Sequence, residues 1–121
     1  MKLKNILIVV KDIEKSKAFY KELFGLEVIS DFGENVMLTE GLVLQERKVW
    51  EKLLHKEIVP CGHDAELFFV EKDMDAFLQK LANYKYPIEY VTPVTENAWG
   101  LPVVRIYDPD KHLIEIAGSR N

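Results

Sequence analysis

One order of elements occurs twice in this chain, and nothing else in it constrains the fold as strongly. An apolar, β-rich run over residues 3–10 comes first, then an aspartate, Asp12, then Ile13, Phe19, Tyr20, Leu23 and Phe24 at helical spacing. Asp12 has the chemistry of an N-cap, and Gly25 stands where a left-handed residue would end the helix. Short strand candidates follow at Leu26–Ser30, Asn35–Thr39 and Leu42–Arg47, with Asp31-Phe32-Gly33 as a turn and Gly41 opening the last of them. The second cycle opens with Ala65–Val70 and a second aspartate, Asp73. Met74, Phe77, Leu78 and Leu81 then mark a helix by their i, i+3, i+4, i+7 spacing. Strands are predicted at Tyr86–Val91, Val103–Tyr107 and Leu113–Ala117, a polar loop at Thr92–Trp99 and a turn at Asp108–Lys111. The order is β-α-β-β-β, twice.

Between the cycles, Val49, Trp50, Leu53 and Leu54 predict one short amphipathic helix, and Ile58–Gly62 reads as a linker. The expected organisation is a single α+β domain over 1–121. Module one covers about 1–47, a linker helix about 48–62 and module two about 63–118, with Gly118–Asn121 as a frayed tail. Matching Val10 to Val70 sets Asn5 against Ala65, and matching the last strands sets Gln45 against Glu115. The extra residues of the second module then fall in the Thr92–Trp99 loop.

Composition excludes several classes. Sixteen basic against twenty acidic residues leave a formal charge of −4, not the basic excess of a nucleic-acid binder. No apolar run approaches the roughly 18 residues of a membrane span. Lys11-Asp12 breaks the N-terminal apolar run without a small-residue cleavage site, so it does not read as a signal peptide. The single cysteine, Cys61, allows no internal disulfide framework, and a cytoplasmic location is expected.

Strand side chains alternate between faces. Ile6-Ile8-Val10, Leu42-Leu44, Phe68-Val70, Val104-Ile106 and Ile114-Ile116 make one wholly apolar set, expected to lie under the helices as the core. The other set carries Asn5, Gln45, Arg105, Tyr107 and Glu115 among apolar neighbours. That mixture suits a small-molecule site, and equally a solvated face on which Arg105 and Glu115 pair across strands.

Two segments are familiar in register. Val10–Tyr20 with Leu23-Phe24-Gly25-Leu26-Glu27-Val28, and Arg105–Ile116, resemble the opening and the ending of the glyoxalase / bleomycin-resistance / extradiol dioxygenase (vicinal oxygen chelate) superfamily. The resemblance spans essentially the whole chain. It implies two tandem βαβββ modules whose strands form a curved half-barrel sheet, with helices on the outer face and a ligand cleft. Members often pair as homodimers. Many hold a divalent metal through four strand positions, usually His or Glu, where it acts as a Lewis acid on two adjacent substrate oxygens. At the positions that match, this chain has Asn5, Gln45, Ala65 and Glu115, so only Glu115 is a ligand of the family type. Amides and a methyl group bind such metals poorly.

The site expected is therefore metal-free and without a cofactor. Asn5, Gln45, Trp50, Trp99, Arg105 and Tyr107 are the ligand-binding candidates, the tryptophans as stacking surfaces. Glu115 is the candidate base. His63, beside Cys61-Gly62, is a weak alternative metal ligand, since zinc sites take three or four such donors. His55 and His112 are expected to face solvent. The leading expectation is a domain that binds a small organic molecule, paired as a homodimer, with no nucleic acid and no membrane as partner. The alternatives are a metal-dependent lyase or isomerase of glyoxalase type, a bleomycin-type drug-resistance binder of planar cations, and a non-catalytic interaction module. The apo structure of the last would show no cavity.

Overall fold

The computed structural model describes residues 1–60 and 63–119. Cys61 and Gly62 of the expected linker, and Arg120 and Asn121 of the expected tail, lie outside the described residues. By its internal contacts the chain divides into two units, Met1–Val59 and Pro60–Asn121.

The first unit runs β1 (Ile6–Val10), α1 (Ile13–Phe24), β2 (Val28–Asp31), β3 (Asn35–Leu38), β4 (Leu42–Glu46) and α2 (Arg47–Leu54). Its sheet has the order β1-β4-β3-β2, with β1 and β4 parallel and the other pairs antiparallel. Helix α1 begins as its sequence dictates. The Asp12 carboxylate accepts the Lys15 amide at 3.1 Å, and Gly25 ends the helix at φ 70°. Its buried side, Ile13, Phe19, Tyr20 and Leu23, packs toward β4. Gly41, at φ 77°, lets the chain pass close beside Asn5, where a Cβ would meet the Lys4 carbonyl at 3.4 Å. Helix α2 is capped by Glu46, which accepts the amides of Lys48 and Val49 at 2.9 and 3.0 Å. The Lys48 amide foremost holds that carboxyl below its usual range.

The second unit repeats the plan. It runs β5 (Leu67–Glu71), α3 (Met74–Ala82), β6 (Tyr90–Glu96), β7 (Pro102–Tyr107) and β8 (Leu113–Gly118), in the sheet order β5-β8-β7-β6. Asp73 caps α3 through the Ala76 amide at 3.0 Å. Met74, Phe77 and Leu81 are buried, as are Val104, Ile106, Ile114 and Ile116 of the sheet. Among the described residues, no helix is long and apolar enough to cross a membrane.

Four local expectations are corrected. First, β6 starts at Tyr90 and continues through Glu96, so most of the expected Thr92–Trp99 loop is strand. Its edge position and two register irregularities against β7 accommodate Pro93 and the polar residues. Second, Gly118 and Ser119 are not frayed: Gly118 closes β8, and the Ser119 amide donates to the Glu71 carbonyl at 3.0 Å. Third, β5 lies one residue further along than expected, and with the opposite phase. Leu67 pairs with Ile114 and Phe69 with Ile116, whereas Phe68 faces the same side as Glu115. Phe68 and Val70 are accordingly 55% and 61% exposed instead of core. Two residues separate Val70 from Asp73 but only one separates Val10 from Asp12, which absorbs the shift. Fourth, Ile6 is exposed at the start of its edge strand, although the apolar pattern assigned it to the core.

Candidate functional site

The sheet register determines which polar groups meet. In the first unit, Asn35 pairs with Gln45 across β3 and β4, and the Asn35 amide donates to Gln45 Oε1 at 2.8 Å. Gln45 is only 5% exposed. The expected ligand-binding amide is thus a buried cross-strand pair, because β4 is covered on both faces. Asn5 sits one residue before β1, half-buried beside Gly41.

In the second unit, Phe68, Glu115, Arg105 and Thr92 form one row across the sheet. Arg105 Nε donates to Glu115 Oε1 at 2.8 Å, and its Nη1 donates to the Thr92 hydroxyl at 3.4 Å. The side chains of Arg105 and Glu115 are 37% and 18% exposed, so the pair is open on one side. Thr92 also borders an open groove of about 540 Å³, lined by Leu78, Tyr90, Val91, Pro93 and Val94.

Tyr107 lies two residues beyond Arg105 on the same strand, and therefore on the same face. Its hydroxyl oxygen is 2.5 Å from His63 Nε2, and the Lys111 ammonium stands 5.3 Å from its ring centre. Lys111 also pairs with Glu89. His63 thus turns toward Tyr107. Trp50 sits on α2, half-buried, in the first unit, and Trp99 is 71% exposed in the turn after β6.

The β7–β8 turn is a network of its own. The Asp108 carboxylate accepts the amides of Asp110 and His112 at 2.8 and 2.9 Å. Its other oxygen is 2.7 Å from His112 Nδ1. His112 does not simply face solvent, as expected, but is half-buried against this carboxylate. Burial pushes its pKa down, yet the hydrogen bond and charge of Asp108, with Asp110 behind, more than offset this and leave it raised.

The four family ligand positions also shift. Matching the modules by their β1–β4 and β5–β8 pairings sets Asn5 against Glu66, not Ala65. The same matching sets Val43 against Glu115 and Gln45 against Ala117. Alternation in the apolar run 67–70 gives no signal for Glu66, which stands two residues before Phe68, the partner of Glu115. The matched positions then hold Asn5, the apolar Val43, Glu66, and Glu115 bonded to arginine; a valine offers no donor and a carboxylate already paired with arginine is a poor one for a divalent metal. Among the described residues, no three His, Cys, Asp or Glu side chains are grouped to hold one.

Comparison with known proteins agrees with this architecture. Residues 3–121 match the Glyoxalase-like domain, and the chain belongs to that family. A protein of unknown function from Agrobacterium tumefaciens is 34% identical, with a TM-score of 0.82 over 98% of this chain and 94% of its own. A glyoxalase/bleomycin resistance protein/dioxygenase family enzyme from Burkholderia phytofirmans is 16% identical, with a TM-score of 0.77 over 95% and 96% of the two chains. The fosfomycin resistance protein FosX from Listeria monocytogenes is 18% identical, with a TM-score of 0.75 over 98% and 93%. The last two likenesses establish the fold.

Proposed function

We propose that this chain binds a small organic molecule on the open face of β7 and β8, and does so without a metal ion. One observation carries the reading. Glu115, a ligand of the family type, is bonded to the Arg105 guanidinium. A divalent cation at Glu115 would stand beside a fixed positive charge, and arginine cannot lose its proton to make room. The guanidinium takes the place of the cation. Arg105 and Tyr107 supply hydrogen-bonding groups, and the exposed Phe68 and Val70 supply apolar surface. In this reading Glu115 acts first as the group that orients Arg105. Proton transfer by Glu115 requires its release from that pair. The chain works as a homodimer, as its family resemblance implies.

One observation favours a second reading, a metal-dependent lyase or isomerase. Glu66, one residue before β5, stands at the matched position in place of Ala65, so two of the matched positions, Glu66 and Glu115, carry carboxylates. A thermal-shift titration with Mg, Mn, Fe(II), Ni and Zn on wild type, Glu115→Ala and Glu66→Ala separates the two. Binding to the native state raises the melting temperature by mass action. The expected result is no shift with any metal. A shift in wild type that both variants lose would overturn the metal-free reading and favour the metal-dependent lyase or isomerase. A bleomycin-type binder would show instead as stabilisation by planar cations, with Trp99 as the first residue to replace.

A further inference from the structure

Tyr107 is held from two sides by residues in an unusual backbone state. His63, at φ 59°, meets its hydroxyl, and Lys111, at φ 69°, stands over its ring. The left-handed region costs a side-chain-bearing residue free energy that glycine is spared, and such positions cluster where a side chain has a task. Lys111 occupies a turn position that glycine would fill without strain. What its side chain adds is an ammonium group on Tyr107 and a pair with Glu89. A cation over the ring is attracted to its face and holds the ring, and so its hydroxyl, in place.

Arg105 offers a second station on the same strand face. Its Nε is committed to Glu115 and its Nη1 only weakly to Thr92, while Nη2 has no partner among the described residues. The Nη1–Nη2 edge is therefore free to take both oxygens of a carboxylate. Glu115 and Glu89 each already engage one of the two cations, so it is the open guanidinium edge, and not a net positive charge, that would take a carboxylate. Two residues along a strand place the Cα atoms of Arg105 and Tyr107 about 7 Å apart, with both side chains on one face.

We propose that Arg105 and Tyr107 together read a small carboxylic acid that carries a second oxygen, a hydroxyl or a carbonyl, at its far end. This inference rests on the binding role proposed above for the same face, and names the class of ligand. Tyr107 can serve either oxygen. When it donates to His63 its own oxygen accepts a ligand hydroxyl, and when His63 Nε2 carries the proton the phenol donates to a carbonyl.

The probes are 4-hydroxybenzoate, which carries both groups at opposite ends, benzoate, which lacks the hydroxyl, and 4-hydroxybenzamide, which lacks the charge. Titration calorimetry and amide chemical shifts on the full chain read binding. We expect 4-hydroxybenzoate to bind about tenfold more tightly than either of the others, one hydrogen bond's worth in each comparison. Tyr107→Phe should bring 4-hydroxybenzoate down to the level of benzoate and leave benzoate unchanged. Lys111→Gly should raise the melting temperature while weakening 4-hydroxybenzoate. A merely structural lysine would do the reverse, losing stability with its ion pair and leaving affinity alone, and that result overturns its assignment. Discrimination that survives Tyr107→Phe overturns the role of Tyr107. If acid and amide bind this face equally, the ligand class fails and the binding role stands. If none of the three shifts any amide of β7 and β8, the ligand class and the binding role proposed for this face both fail.

Discussion

Ser16 shows what a single residue contributes and what it costs. It lies fully buried on α1, and its hydroxyl has no hydrogen-bond partner among the described residues. A buried hydroxyl without a partner is a penalty, and serine is a weaker helix former than alanine. Ser16→Ala should therefore stabilise the protein by about 1 kcal/mol, read from urea unfolding at constant m-value. A loss of stability would mean that the hydroxyl has a partner, such as a buried water. Residues whose role is local were legible in advance. Asp12 and Asp73 each cap the helix that starts beside them, because a cap needs only its own next three residues. Gln45 was not legible as a buried group, since its partner Asn35 lies on another strand and only the register brings them together.

The β7–β8 hairpin is the element through which pH should act. His112 has a raised pKa in the fold, held up by Asp108 against the effect of its own burial, with Asp110 adding negative charge and Lys111 adjoining in the turn. The folded state then binds the proton more tightly than the unfolded state does. The stabilisation is fully present below the unfolded value, near 6.5, and is lost as pH rises through the higher folded value. His112→Asn should remove that slope. Parallel stability profiles for wild type and variant from about pH 5.5 to 8.5 would show that the pair contributes no pH dependence. The phase of β5 illustrates a limit at this same scale. Residues 67–70 are apolar on both faces, so alternation cannot choose between them. Pairing with Ile114 and Ile116 chose Leu67 and Phe69.

For the molecule as a whole, each unit leaves apolar side chains exposed: Ile6, Ile29 and Phe32 in one, Phe68 and Val70 in the other. Exposed apolar patches of this kind commonly mark places where proteins associate. The homodimer we propose should sediment at about 28 kDa, twice the 14.1 kDa of one chain. A species of single-chain mass at micromolar concentration would count against it. The sequence alone determined the doubled β-α-β-β-β order, the helix caps, the hairpin turn at Asp108 and membership of the family. Each of these is written in spacing or in contacts a few residues long. Tertiary structure alone decided that Gln45 is buried, that Glu66 instead of Ala65 matches Asn5, and that Tyr107 is gripped by His63 and Lys111. Those outcomes depend on which residues face each other across strands distant in the chain, and a shift of one residue exchanges the two faces.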